Sequence, residues 1–266
     1  MRHVDLCSGI GGFALGFEWA ELSKPVLFCD IEPWSRKVLR KHWPNVPIAK
    51  DVRELSSDPD GLVPDCDIIT AGYPCQPFSL AGGRRGHQDD RHIWPFIFSI
   101  IQAKRPSWCV FENVYGHVSM GLDEVLSDLE GESYTTRPFI VPACAVDAPH
   151  RRDRVWIIAH TNSNSEPNGS VNEGSRSGEL VADADSSRWQ RKWSKRCNEG
   201  SSGLCSGETQ RKENFWLPEP AVGRVVNGFP GRVDRLRGLG NAIVPQIAQR
   251  IGETIKQVQK NGEADQ

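Results

Sequence analysis

Residues 1–160 alternate between short apolar runs and stretches with helical spacing, and no other feature constrains the fold as much. Residues 3–6 form an apolar run that ends in a glycine-rich turn. Residues 10–21 then place Phe13, Phe17 and Ala20 on one helical face. The spacing predicts further strands over 25–29, 67–71, 108–112, 133–141 and 154–159. It predicts helices over 34–42, 93–103 and 122–129. Strand–helix alternation of this kind implies an α/β sheet covered by helices on both faces. At 266 residues the chain is long enough to bury a sizeable core without disulfides or metal.

The texture changes after residue 160. From 160 to 214, 23 of 55 residues are Ser, Asn or Gly, too few apolar groups for a packed core, so a loop-rich segment is expected. Apolar patterning returns at Phe215, and residues 243–258 read as a final amphipathic helix followed by a frayed tail. The expected organisation is a core over 1–160, a separate region over 161–235, a helix returning to the core over 236–258, and a tail over 259–266.

Charge follows the same division. The net charge of −2 averages residues 1–150, with 14 Lys/Arg against 20 Asp/Glu, and residues 151–240, with 15 against 11. The second region therefore has the sign that suits a polyanion. No apolar stretch approaches the roughly 18 residues of a membrane span. The N-terminal Met1-Arg2-His3-Val4-Asp5 shows no apolar signal region and no cleavage site, so a cytoplasmic protein is expected. None of the eight cysteines forms a C-x-x-C pair, so no metal site is expected, and most read as buried free thiols.

Cys75 is different. It lies in Gly72-Tyr73-Pro74-Cys75-Gln76-Pro77, just past the strand over 67–71. Flanking prolines fix the backbone and hold the thiol outward, and ligands of open α/β sheets bind at carboxyl strand ends. A nucleophile fits that position. Glu112-Asn113-Val114 ends another strand at the same sheet edge. Its carboxyl suits a general acid or an acceptor for an amino group, while Asn113 also suits a plain cap. Arg152 and Arg154 in Pro149-His150-Arg151-Arg152-Asp153-Arg154 fall on one side of a strand by period two, which suits a phosphate or a base carbonyl. Asp5-Leu6-Cys7-Ser8-Gly9-Ile10-Gly11-Gly12 offers a backbone cradle between a strand and a helix, but its G-x-G-G spacing is not the full dinucleotide fingerprint. Asp30, about 20 residues on, suits ribose hydroxyls, with Glu32 as a second candidate. Asp51 suits an adenine amino group, and Asn241 reads as an N-cap of the last helix.

Taken together, Pro74-Cys75-Gln76, Glu112-Asn113-Val114 and Arg152/Arg154 in this order resemble the cytosine-5 DNA methyltransferases, over 2–160 and 215–258. The resemblance implies a Rossmann-like S-adenosylmethionine-dependent methyltransferase sheet with a small, loop-rich recognition lobe. It implies S-adenosylmethionine bound by Asp5, Cys7, Gly9, Ile10, Gly11, Gly12, Asp30, Ile31, Asp51, Val52 and Asn241. Cys75 would attack carbon 6 of a flipped-out cytosine, Glu112 would hold ring nitrogen 3 and the amine, and Arg154 the carbonyl, supported by Arg152. Double-stranded DNA is the implied partner, with Arg84, Arg85 and Arg91 in a mobile loop and Lys192 and Arg196 in a basic-aromatic cluster. A cognate restriction endonuclease is a candidate partner, and a monomer is expected. Two alternatives stand beside this reading: methylation of tRNA, which one branch of the family performs, and a non-catalytic DNA-associated relative. The chain departs from the family pattern at Cys7, where an aromatic residue is usual, and Ile31 would then supply the contact with adenine.

Overall fold

A computed structural model describes residues 1–74, 93–161, 238 and 240–264. Its centre is a seven-stranded sheet in the order β3-β2-β1-β4-β5-β7-β6. The strands are β1 (Arg2–Leu6), β2 (Lys24–Cys29), β3 (Ile48–Ala49), β4 (Ile68–Ala71), β5 (Trp108–Val114), β6 (Tyr134–Pro142) and β7 (Asp153–Thr161). β1 to β5 pair in parallel, and β7 runs antiparallel to β5. All of β4 is buried, as are the last four residues of β1 and the first six of β5. Sheets covered on both faces need such unbroken apolar runs.

The order of the strands positions the site. From β1 the chain winds outward to β2 and β3, then returns to lay β4 on the other side of β1. The winding reverses there, so the helices that follow β1 and β4 diverge and leave a crevice at the carboxyl ends of the two strands. The glycine turn after Leu6 and the segment Gly72-Tyr73-Pro74 after Ala71 both open onto that edge.

The helices are α1 (Gly12–Trp19), α2 (Pro33–His42), α3 (Val52–Ser57), α4 (Pro59–Leu62), α5 (Trp94–Lys104), α6 (Leu122–Gly131) and α7 (Pro245–Ala264). α5 turns Trp94, Ile97, Ile100 and Ile101 into a core shared with Leu6, Ile69, Cys109 and Phe111. α7 packs on α1 through glycines. A Cβ on Gly16 would lie 2.6 Å from the Ala248 Cβ and against the carbonyl of Pro245, and one on Gly12 would lie 2.7 Å from the Ile243 Cβ.

Several boundaries depart from the sequence pattern. β3, α3 and α4 were not expected, because elements of two to six residues show no measurable periodicity. α3 and α4 are fixed instead by caps, Asp51 accepting from Arg53 N at 3.0 Å and Asp58 from Gly61 N at 3.1 Å. α7 begins at Pro245 rather than residue 243 and continues to Ala264, through much of the expected tail. Each residue added to an existing helix gains a hydrogen bond without a new nucleation cost.

Contacts divide the chain into two units, one of Met1–Val141, Asp153–Ser163 and Gly228–Gln266, the other of Pro142–Arg152 and Asn164–Asn227. Among the described residues the second contains a single 3₁₀ turn over Ala143–Val146, with Ala143 N donating to the Arg151 carbonyl at 2.6 Å. Among the described residues, Cys7, Cys29, Cys66 and Cys109 are free.

Candidate active site

The turn after β1 is held by its own backbone. Cys7, Gly9 and Gly11 all adopt positive φ, at 52°, 55° and 86°. The Ser8 hydroxyl donates to the carbonyls of Asp5 and Cys29, tying the turn to β1 and β2. Gly11 is the N-cap of α1 and has no side chain to cap with. A Cβ there would meet the Trp43 ring at 2.6 Å, so glycine is required twice over, by φ and by space. Asp30 closes the turn from the end of β2. Its Oδ2 accepts from Gly9 N at 2.7 Å and its Oδ1 from Glu32 N at 2.8 Å. Burial raises the Asp30 carboxyl above its usual range despite these two donors. Beside it, Ile31 presents a 63% exposed side chain, while Arg36 donates to the carbonyls of Asp30 and Ile31 at 2.7 Å each. Asp51 and buried Val52 start α3 nearby in the fold, through the pairing of β2 with β3.

Below the turn, a polar chain crosses the core. The Thr70 hydroxyl donates to Asp5 Oδ1 at 2.7 Å, and His3 Nε2 lies 2.7 Å from the same hydroxyl. All three side chains are fully buried. Burial pushes Asp5 up to about 8, partly opposed by Thr70, and lowers His3 to about 3. Burial also pushes the Cys7 thiol well up, reinforced by Cys29, Asp30, Asp5 and Asp51, so it stays protonated and unreactive.

At the end of β4, Tyr73 shares a hydrogen bond with His117 Nε2 at 3.0 Å. Its ring packs against Trp94 and Phe111. Burial lowers His117, which favours the neutral imidazole. Tyr73, Pro74, Ile93, Trp94, His117 and Glu124 are among the residues lining a concavity here. Tyr73 and His117 were not singled out in the sequence; a tyrosine and a histidine 44 residues apart give no local signal of contact. Cys75 follows Pro74 and lies outside the described residues, as do Arg84, Arg85, Arg91, Lys192 and Arg196.

Glu112 and Arg154 meet at the far side of the crevice. β5 pairs with β7 so that Glu112 faces Trp156 and Val114 faces Arg154. Arg154 is therefore the diagonal neighbour of Glu112, and its Nε lies 2.9 Å from Glu112 Oε1. Both side chains are largely buried, at 20% and 11% exposure, so losing either partner would leave the other charge buried and uncompensated. Arg152 does not share this strand. β7 begins at Asp153, and Arg152 has φ 42°, a left-handed conformation that ends the alternation, so the period-two argument does not extend to it. Asn241 is likewise no cap of the last helix. Val244 N-terminally precedes Pro245 and its carbonyl accepts from Ile247 N and Ala248 N, while Asn241 is exposed in a separate helical stretch.

Among the described residues, no group of His, Cys, Asp or Glu is arranged to hold a metal ion, and no helix is long and apolar enough to cross a membrane.

The chain resembles solved structures of Dnmt2 methyltransferase from S. pombe (TM-score 0.54, 24% identity, 68% of this chain and 58% of that one) and of a DNMT2 mutant from Spodoptera frugiperda (TM-score 0.53, 22% identity, 65% and 53%). At these identities the likeness concerns the fold alone, a mixed α/β sheet. Among curated proteins it is 35% identical over 171 residues to Type II methyltransferase M2.BsuMI of Bacillus subtilis, covering 60% of this chain and 42% of that protein. It is 29% identical over 187 residues to Type II methyltransferase M.HgiCII of Herpetosiphon aurantiacus, covering 68% and 42%. The chain thus spans less than half the length of these relatives. A family model described as C-5 cytosine-specific DNA methylase matches residues 1–214, most of the chain, and on that match the protein belongs to the C-5 cytosine-specific DNA methylase family.

Proposed function

We propose that this chain transfers a methyl group from S-adenosylmethionine to carbon 5 of cytosine in double-stranded DNA, through a covalent Cys75 adduct on a flipped-out base. The observation that carries the reading is the buried Glu112–Arg154 pair at the carboxyl end of β5. It stands at the same sheet edge as the end of β4, from which Tyr73-Pro74 leads directly into Cys75.

The residues present fit the cofactor. The positive-φ turn brings bare backbone over the end of β1, Asp30 and Asp51 supply carboxylates from the ends of the neighbouring β2 and β3, and exposed Ile31 offers an apolar face for adenine where Cys7 offers none. A buried Asp5 Oδ2 without a partner among the described residues adds an unmet polar demand at the same strand end. When bound, S-adenosylmethionine supplies an electrophilic methyl group.

Cys75 acts as the nucleophile. Its thiolate adds to carbon 6 of the base, and the electron pair of the 5,6 double bond moves to carbon 5, which takes the methyl group. Loss of the carbon 5 proton to a base then expels the thiolate and restores the ring. Glu112 holds ring nitrogen 3 and the exocyclic amine, and Arg154 reaches the carbonyl oxygen. Glu112 acts as the carboxylic acid, donating its proton toward ring nitrogen 3, and that proton and the Arg154 guanidinium stabilise the negative charge that the addition places on the ring. Arg152 supports the site. Arg84, Arg85 and Arg91 hold phosphates, and the region 161–235, with Lys192 and Arg196, recognises the target. The protein acts as a monomer, alongside a cognate restriction endonuclease.

The test is transfer of labelled methyl groups to double-stranded DNA and, in parallel, to tRNA. Label in DNA is expected, abolished by Cys75→Ser and reduced by about 10²–10³ in Glu112→Gln and Arg154→Ala. Label in tRNA alone replaces the substrate. Full transfer by Cys75→Ser, or none by the unaltered protein, overturns the reading.

A further inference from the structure

β4 pairs with β1 and β5 as far as Ala71, which stands opposite Leu6 and Phe111. Beyond it the chain runs through half-buried Gly72, buried Tyr73 and exposed Pro74, and Pro74 has no N–H to offer a neighbouring strand. The sheet ladder no longer fixes this stretch, and the Tyr73 side chain anchors it. The ring packs against Trp94 at 5.7 Å, Phe111 at 6.2 Å and, edge-on, His117 at 5.6 Å between centroids. The hydroxyl lies 3.0 Å from His117 Nε2.

The partners of Tyr73 are themselves held. Trp94 opens α5 and donates its indole N–H to Asp128 Oδ2 on α6 at 2.8 Å. Phe111 immediately precedes Glu112 in β5. His117 sits in the 3₁₀ turn Tyr115–Ser119, which directly follows Glu112-Asn113-Val114, and a Cβ on Gly121 would lie 3.2 Å from its Cε1. Tyr73 thus ties the chain that enters Cys75 to both flanks of Glu112. Phenylalanine and leucine would fill the same space without desolvating a phenol and an imidazole, which are 5% and 6% exposed here. The polar pair offsets that cost only while its two atoms keep their geometry, whereas apolar contacts tolerate sliding. Burial favours the neutral imidazole, so the pair needs no counter-charge.

We propose that Tyr73 and His117 are positioning residues whose hydrogen bond fixes the spacing between the chain entering Cys75 and the strand end carrying Glu112, so that nucleophile and acid reach one base together. This rests on the proposed transfer to cytosine. Both residues act through the backbone, Tyr73 through Pro74 and His117 through the turn after β5. A misplacement of about 1 Å at a reacting group can cost about a hundredfold in rate.

The test measures single-turnover methyl transfer by the full chain to double-stranded DNA, or to tRNA where that alone is labelled, with nucleic acid and S-adenosylmethionine saturating, beside the Kd for each. Tyr73→Phe removes the hydroxyl and keeps the ring. It should slow transfer by about ten- to a hundredfold, with both Kd values within about twofold of the unaltered protein. His117→Leu should do the same, and the double variant should be no slower than either single one, since all three remove one contact. His117→Gln, whose amide can stand near the Nε2 position, should recover most of the rate. Thermal melts check that each variant is folded at the assay temperature. An unaltered rate in Tyr73→Phe, whatever its Tm, overturns this proposal alone, as does an additive loss in the double variant or no recovery in His117→Gln. No transfer to either nucleic acid by the unaltered protein removes the transfer reading and this proposal with it.

Discussion

Asp5 and His3 shape how the fold responds to pH. Burial raises Asp5 from 3.8 to about 8, so the folded protein holds a proton that the unfolded chain releases above pH 4. The charged form is the one the fold rejects. Stability contributed by this site is complete below pH 3.8 and is lost as pH rises to 8. Burial lowers His3 from 6.5 to about 3, with the opposite consequence. Its contribution is complete above pH 6.5 and is lost as pH falls to 3. In thermal melts, Asp5→Asn should gain Tm relative to the unaltered protein as pH rises from 4 to 8, by an amount worth a few kcal/mol. A constant Tm difference across that window would refute the assignment. None of this was legible in the sequence. Asp5 stood out as part of a glycine-turn motif, but His3 lies 67 residues from Thr70 and looked like an ordinary member of an apolar strand.

Among the elements, the contact of α1 with α7 has the least tolerance. Gly16 is in the middle of α1, where alanine would ordinarily favour the helix by about 1 kcal/mol. Here the added methyl would press on the Pro245 carbonyl and the Ala248 Cβ, backbone and side chain that cannot both yield. Gly16→Ala should therefore destabilise the fold by about 1–3 kcal/mol. Gly131→Ala at the end of α6, where nothing lies within 4 Å, should be neutral or slightly stabilising. Urea unfolding of both variants decides it, and an equal response from the two would show that α7 gives way. The long helices were readable because apolar spacing persists over 8 to 20 residues. α3 and α4 were not, because their caps carry the signal and their length does not.

For the molecule as a whole, the crevice between β1 and β4 links ligand and stability. A ligand that binds only the folded chain adds about 2.7 kcal/mol at 100 times its Kd. For a chain of this size that is about 5–10 °C in Tm. S-adenosylmethionine should produce such a shift at saturating concentration, and the same shift with Cys75→Ser, since the nucleophile follows β4 and does not build the cofactor turn. A fluorimetric melt with and without cofactor measures it, and no shift in either protein would count against cofactor binding at this crevice.

The chain by itself determined the elements and the chemistry that local order can encode. Apolar periodicity specified the alternating sheet and helices, and contiguous motifs marked the glycine turn, the Pro74-Cys75 step and Glu112-Asn113-Val114. Only the tertiary structure decided which groups share an environment. The diagonal register of β5 and β7 brought Arg154 to Glu112 and left Arg152 outside the strand. The reversal at β1 and β4 buried His3, Thr70 and Asp5 together beneath the turn. Spacing along the chain reports the near neighbours of a residue. Desolvation and pairing depend on distant ones, and those become neighbours only when the sheet closes over them.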